Sequence, residues 1–203
     1  MKKTDLDEAK KLWESLKEDV TEIITTTSHD LNVLFNKLHE DPENQSWRRI
    51  YVRTAYAWIE ATVYSMKLTA LLFNNPKNEK LKLTIGENAI IFEKSFYLTD
   101  TGLVKSRQNF QETAKSLRFA FRVNAKVFNV DFHLDINCKG WQSYLDGLKI
   151  RNRITHPKSK KDLYVTDKDQ IIVSDAVTWF SENIERLTFM SLGKNGKLPT
   201  LIH

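Results

Sequence analysis

The stretch Trp141-Gln-Ser-Tyr-Leu-Asp-Gly-Leu-Lys-Ile-Arg-Asn-Arg-Ile-Thr-His-Pro157 decides how the chain is read. Trp141, Tyr144, Leu145 and Leu148 recur at the i, i+3, i+4, i+7 spacing of one helical face, so residues 140–155 are expected to form a helix with that face inward. Arg151 and Asn152 fall within about 60° of Leu148 at 3.6 residues per turn, where the pattern asks for apolar side chains. A guanidinium and an amide placed there must find partners, because a buried polar group without one is costly. Pro157 disfavours helical geometry at His156, so the helix should end there and release the imidazole into a turn beside Arg151 and Asn152. Ile150 and Ile154 lie on the face opposite Leu148, either as a dimer seam or covered within the chain.

Working outward, hydrophobic content of 41%, charged content of 28% and only six Gly and four Pro describe a globular, helix-rich chain of one main domain. The net charge of +5 and pI near 9.1 permit an anionic partner without demanding one. The distribution is more telling. Between residues 139 and 161, seven Lys and Arg side chains stand against the single acid Asp146. A solvated basic loop is the plain alternative. The lone Cys138 cannot form an intrachain disulfide, and no Cys/His group has zinc spacing. The first residues lack the apolar core of a signal peptide, and Ala55–Phe73 is interrupted by Glu60 and Lys67. A cytoplasmic protein without membrane association, cofactor or metal is expected.

Residues 5 to about 40 carry an amphipathic stripe that includes Leu6, Ala9, Leu12, Trp13, Leu16, Val20, Ile23 and Ile24. Thr25-Thr-Thr-Ser makes one helix or two equally compatible with it. Ser46 is expected to cap a long helix over 47–73, whose charges Arg49, Arg53, Glu60 and Lys67 fall on one strip. That strip is either solvated, or it faces a polar site in which Glu60 orients Arg151 or His156. Aromatic and β-branched residues on either side of Thr99-Asp-Thr-Gly102 predict a β-hairpin within 90–107, which must pack on helices because a lone hairpin is marginal. Residues 109–129 return to helix, with Arg118, Arg122 and Lys126 as a solvated row or an extension of a basic surface. Thr166-Asp-Lys-Asp169 resembles a capping box before a last helix to about Ser191, with a strand over 170–173 as the competing reading. The division is then 1–45 as a helical extension, 46–192 as an all-α bundle of five to six helices with its hairpin insertion, and 193–203 as a mobile tail.

The residues around 151–161 suit a definite chemistry. RNA is cut without a metal when its 2′-hydroxyl attacks the adjacent phosphate, which needs a proton carrier near neutral pH and a cation for the charge developing on phosphorus. An imidazole is the side chain suited to gain and lose a proton near neutral pH, and His156 is the candidate base or acid. Arg151 holds non-bridging oxygens with its planar fork, Asn152 orients the imidazole or contacts phosphate, and Arg153, Lys158, Lys160 and Lys161 attract RNA. One His does not easily act as base and acid in the same step, so a second copy is expected to contribute.

Arg151-Asn152-Arg-Ile-Thr-His156, in which four residues separate the arginine from the histidine at the end of an amphipathic helix, resembles the HEPN superfamily, whose hallmark is Arg, four to six residues, then His, often with a polar residue after the Arg. The resemblance covers about residues 45–190. It implies a helical bundle, a homodimer joining two motifs and, in many members, metal-independent RNase activity in toxins or phage defence, neutralised by a cognate antitoxin or regulatory protein. A further polar side chain from an earlier helix, here Glu60, is implied beside the motif. A subgroup carries a modifiable Tyr two residues after the His, where this chain has Lys158. Two other functions compete with the endoribonuclease: a non-catalytic HEPN module that binds RNA, a nucleotide or a protein partner, and a helical dimer whose Arg151, Asn152 and His156 merely satisfy one another.

Overall fold

A computed structural model describes residues 3–195. They form six α-helices, one 3₁₀ turn and a two-stranded antiparallel hairpin, so the expected mainly helical class with a small hairpin holds. In chain order these are α1 (Lys3–Glu40), α2 (Gln45–Leu72), α3 (Ile85–Ile91), β1 (Lys94–Leu98), β2 (Val104–Gln108), α4 (Thr113–Val127), α5 (Lys139–Thr155), the 3₁₀ turn Lys160–Leu163 and α6 (Asp167–Asn195). None of the helices, among the described residues, is long and apolar enough to cross a membrane.

The helix ends follow local chemistry. The first helix is continuous through the threonine run, because Thr27 Oγ1 donates back to the Ile23 carbonyl at 2.7 Å and leaves the helical ladder intact. The side chains of Leu6, Ala9, Leu12 and Trp13, expected on its stripe, lie outside the described residues. Helix α2 is capped by Asn44 rather than Ser46: its Oδ1 accepts from the backbone of Ser46 at 3.0 Å and of Trp47 at 3.3 Å. The expected box at Thr166 and Asp169 forms, with reciprocal bonds of 2.9 and 3.1 Å, and starts α6 where a strand over 170–173 competed. The last helix runs past the expected end near Ser191 to Asn195; the remainder of the expected tail lies outside the described residues.

The chain divides into two compact units. One gathers residues up to Val20, Val63–Phe132 and those from Ser191. Its core joins Ala70, Leu83, Ile91, Val123 and Val127. The short helix α3, which the sequence pattern did not announce, is held by a capping box between Thr84 and Glu87. Glu87 also receives Lys126 at 2.7 Å and Arg122 at 3.2 Å; Lys126 is drawn partly out of solvent by this pair, while Arg122 keeps most of its side chain in water, as in a solvated row. The hairpin pairs Leu98 with Val104 and Phe96 with Ser106, turning through Gly102 at φ +74°. The hairpin meets α3 through β1, but nine of its ten strand residues are exposed, so little of it shows the expected packing on helices.

The other unit comprises Thr21–Thr62 and His133–Met190. An aromatic cluster of Trp141, Tyr144 and Trp179, with ring centroids 5.3 to 5.9 Å apart, forms its centre, and Tyr56 stacks on Tyr144 at 5.9 Å. Two glycines set how closely α5 approaches its neighbours. A Cβ at Gly140 would enter the Trp179 ring, and one at Gly147 would collide with the Tyr56 hydroxyl. Arg48 is almost fully buried and satisfied, reaching Pro42 O at 2.5 Å, Val165 O at 3.0 Å and the Asp167 carboxylate at 2.6 Å.

Candidate functional site

The site is built on α5, which spans nearly the expected residues. Its N-cap is Cys138, whose sulfur accepts from the Trp141 N–H at 3.4 Å, a capping role not foreseen for that residue. Its buried face differs from the expected one. Trp141 and Tyr144 are buried, but Leu145 and Leu148 are half-buried, while Ser143, Gly147, Ile150 and Ile154 are buried. Small residues mark close approach, which a count of large apolar side chains cannot register. At about 100° per residue, Arg151 then lies inside the buried arc, between Gly147 and Tyr144, and Asn152 lies outside it. Ile150 and Ile154 are covered within the chain and offer no dimer seam.

From α2, the Glu60 carboxylate meets the Arg151 guanidinium in an ion pair. A second guanidinium N–H donates to Asn152 Oδ1 at 3.1 Å. With 22% of its side chain exposed, Arg151 is fixed at the bundle surface rather than sealed within it. Burial lowers its pKa, and the neighbouring Tyr56 partly offsets that effect; it remains a cation. The Tyr56 hydroxyl donates to the Tyr144 carbonyl at 2.7 Å, and burial, with Tyr144 next, raises its pKa, so it stays a neutral donor.

The charged strip of α2 is therefore not simply solvated. Arg53 donates to the Ile154 carbonyl at 2.6 Å and Arg49 to the Leu163 carbonyl at 3.4 Å, so the strip grips the end of α5 and the 3₁₀ turn. Free carbonyls at a helix end are natural acceptors for such cations.

His156 is the C-cap of α5. Its N–H still bonds to the Asn152 carbonyl at 2.9 Å, but φ −123° and ψ 60° take it out of the helix ahead of Pro157, and its side chain is exposed. The imidazole makes no hydrogen bond among the described residues; the Asn152 side chain turns to Arg151 instead of orienting it. Lys158, Lys160 and Lys161 are exposed in the following segment. Asp162 closes that segment by accepting from the backbone of Lys158 at 2.9 Å and Ser159 at 2.8 Å, bonds that lower its pKa.

Arg153 is not brought to this cluster. It projects about 160° around α5 from Arg151 and pairs with Asp169 at 2.9 Å. Tyr164, at the end of the 3₁₀ turn, was not singled out by the sequence pattern; the residue is 53% exposed and follows the lysines in the chain, and an exposed aromatic ring is a surface on which a planar group can stack. Its position directly after Lys-Lys-Asp-Leu was the available signal.

Among the described residues, no group of three or more His, Cys, Asp and Glu side chains is placed to hold a metal ion. Glu60, Arg151 and Asn152 thus form one bonded group, with His156 and three lysines exposed just beyond it. Comparison with protein-family models, with curated proteins and with solved structures gives no match for this chain.

Proposed function

We propose that the chain is a metal-independent endoribonuclease of the HEPN type, acting as a toxin or in phage defence. The observation that carries this reading is the fixed guanidinium of Arg151, held by Glu60 and Asn152 five residues before the exposed His156 that ends the same helix. A preorganised cation followed by an exposed proton carrier suits transfer to phosphorus. In the reaction the 2′-hydroxyl loses its proton and its oxygen bonds to phosphorus. The bond to the 5′-oxygen breaks and that oxygen takes up a proton, leaving a 2′,3′-cyclic phosphate and a 5′-hydroxyl. His156 moves one proton, Arg151 turns its remaining N–H donors to the non-bridging oxygens, and Lys158, Lys160 and Lys161 draw the strand in. A homodimer supplies the second histidine, and a cognate antitoxin or regulatory protein would restrain the activity.

The test incubates pure protein with mixed RNA and excess chelator, comparing wild type with His156→Ala and Arg151→Ala. Cleavage to cyclic phosphate ends by wild type alone is expected; undiminished cleavage by both variants would sink the site.

The Glu60 pair also favours a second reading, a non-catalytic HEPN module that binds RNA, a nucleotide or a protein partner. A carboxylate already neutralises Arg151, and a phosphate must compete with it. Saturable RNA binding without cleavage, lost in Arg151→Ala, is the outcome expected of that reading.

A further inference from the structure

The β1–β2 hairpin breaks a rule of sheet stability: two strands alone bury too little to be stable in water. Its register puts Phe96, Leu98 and Val104 on one face, with Lys94 at the root end, and Tyr97, Lys105 and Arg107 on the other. The apolar face is open. Phe96 is 60% exposed, Leu98 71%, Val104 69% and the turn residue Leu103 61%. Phe92 and Phe110 flank the root, beyond the 2.7 Å bond from the Asn109 N–H to the Glu93 carbonyl, and both are more than half exposed. Scattered apolar residues on a surface are ordinary; six large ones gathered on ten strand residues and their flanks are not.

We infer that this face is a homodimer interface, in which the apolar faces of two hairpins close on each other about a two-fold axis. Three observations select a second copy. Phe96, Leu98 and Val104 on this face, with the turn residue Leu103 at its tip, are each at least 60% exposed and together offer on the order of 450 Å² per copy, the size of a weak, reversible interface. The face is also self-complementary in charge. Lys94 stands at the root and Asp100 at the tip, both exposed and without an ion pair among the described residues. An antiparallel two-fold arrangement lays each root over the other tip, so Lys94 approaches the partner's Asp100 twice, by symmetry. Finally, the tip Thr99-Asp-Thr-Gly102 is polar and carries a carboxylate at the point that would enter a bilayer first, which disfavours membrane insertion. The interface depends on none of the chemistry assigned to Arg151 and His156.

Sedimentation of the full chain from nanomolar to micromolar concentration tests it, with far-UV circular dichroism as the folding control. Wild type is expected to dimerise. Phe96→Ser with Leu98→Ser should keep the helical signal and weaken the dimer by at least about 100-fold, since both copies lose buried side chains. Lys94→Glu should weaken it by about tenfold, and adding Asp100→Lys should restore it. A wild type that is monomeric throughout overturns the inference, as does a dimer unaffected by the serine pair. A monomer that binds anionic vesicles through the same residues assigns the face to membrane instead. Failure of the Lys94→Glu and Asp100→Lys pair to rescue would overturn the antiparallel arrangement.

Discussion

The carboxylate of Glu60, beyond the midpoint of α2, pairs with the guanidinium of Arg151, in the last turns of α5. A half-exposed pair of this kind contributes about 1 kcal/mol to stability. Glu60→Gln is therefore expected to lower the melting temperature by about 2–4 °C. It should also tighten RNA binding by up to about tenfold, because a competing anion beside the phosphate site is gone. Cleavage should fall, since the amide no longer fixes the direction of the guanidinium. Thermal unfolding and fluorescence anisotropy with a labelled RNA read the first two effects. Unchanged affinity would mean that Arg151 does not meet phosphate.

Gly147 lies against the Tyr56 hydroxyl, which has no room to retreat while it donates to the Tyr144 carbonyl. An alanine there gains helix propensity of about 1 kcal/mol over glycine but forces the two helices apart. We expect a net loss of about 2–3 kcal/mol for Gly147→Ala, as for other overpacked cores. Tyr56→Phe removes the colliding oxygen, so in the Gly147→Ala background it should recover part of the loss, although alone it costs about 1 kcal/mol. Denaturant unfolding of the four proteins in this cycle measures the coupling; strict additivity would contradict the proposed contact.

Glu87 gathers Lys126, Arg122 and the Thr84 N–H. Burial raises its pKa, but the hydrogen bond from Lys126, those from Thr84 and the charge of Lys126 outweigh it, and the net shift is downward from the ordinary 4.5. A depressed folded-state pKa contributes stability that is fully present above the unfolded value and lost as pH falls through the folded one. Stability should therefore decline as pH drops below about 4.5, and Glu87→Gln should flatten that part of the profile while lowering stability at neutral pH. Urea midpoints measured from pH 3 to 7 check both; a variant with the wild-type acid slope would remove Glu87 from the account.

The long helices were legible because their apolar periodicity spans many turns, and the hairpin because its turn residues are distinctive. The end of α5 was legible through Pro157. What escaped was short or depended on closeness. Helix α3 has seven residues, too few for a period to show, and its capping box between Thr84 and Glu87 was the only mark. The direction in which α5 faces was missed because Gly147 and Ser143 bury by being small. The two alternatives for Glu60 could not be separated from spacing, since a strip of charges looks the same in sequence whether it meets water or the end of another helix.

Arg153 and the lysines beyond it were grouped by charge, and the structure separates them. Arg153 pairs with Asp169, whose carboxylate also accepts from the Thr166 N–H, so it ties α5 to the start of α6. Arg153→Ala should thus cost about 1–2 kcal/mol, between an exposed and a buried pair, and leave RNA affinity nearly unchanged. Lys158, Lys160 and Lys161 are exposed and touch no carboxylate among the described residues. Replacing all three with alanine should leave stability within about 0.5 kcal/mol of wild type. If each lysine meets one phosphate, the triple variant should reduce the salt dependence of single-strand binding by about 2 in the slope of log K against log salt. Anisotropy titrations across salt concentrations, set beside unfolding curves for both variants, separate the roles. A triple variant with an unaltered salt slope would place the RNA path elsewhere on the chain, and a stable Arg153→Ala protein with weakened binding would return that arginine to the RNA surface.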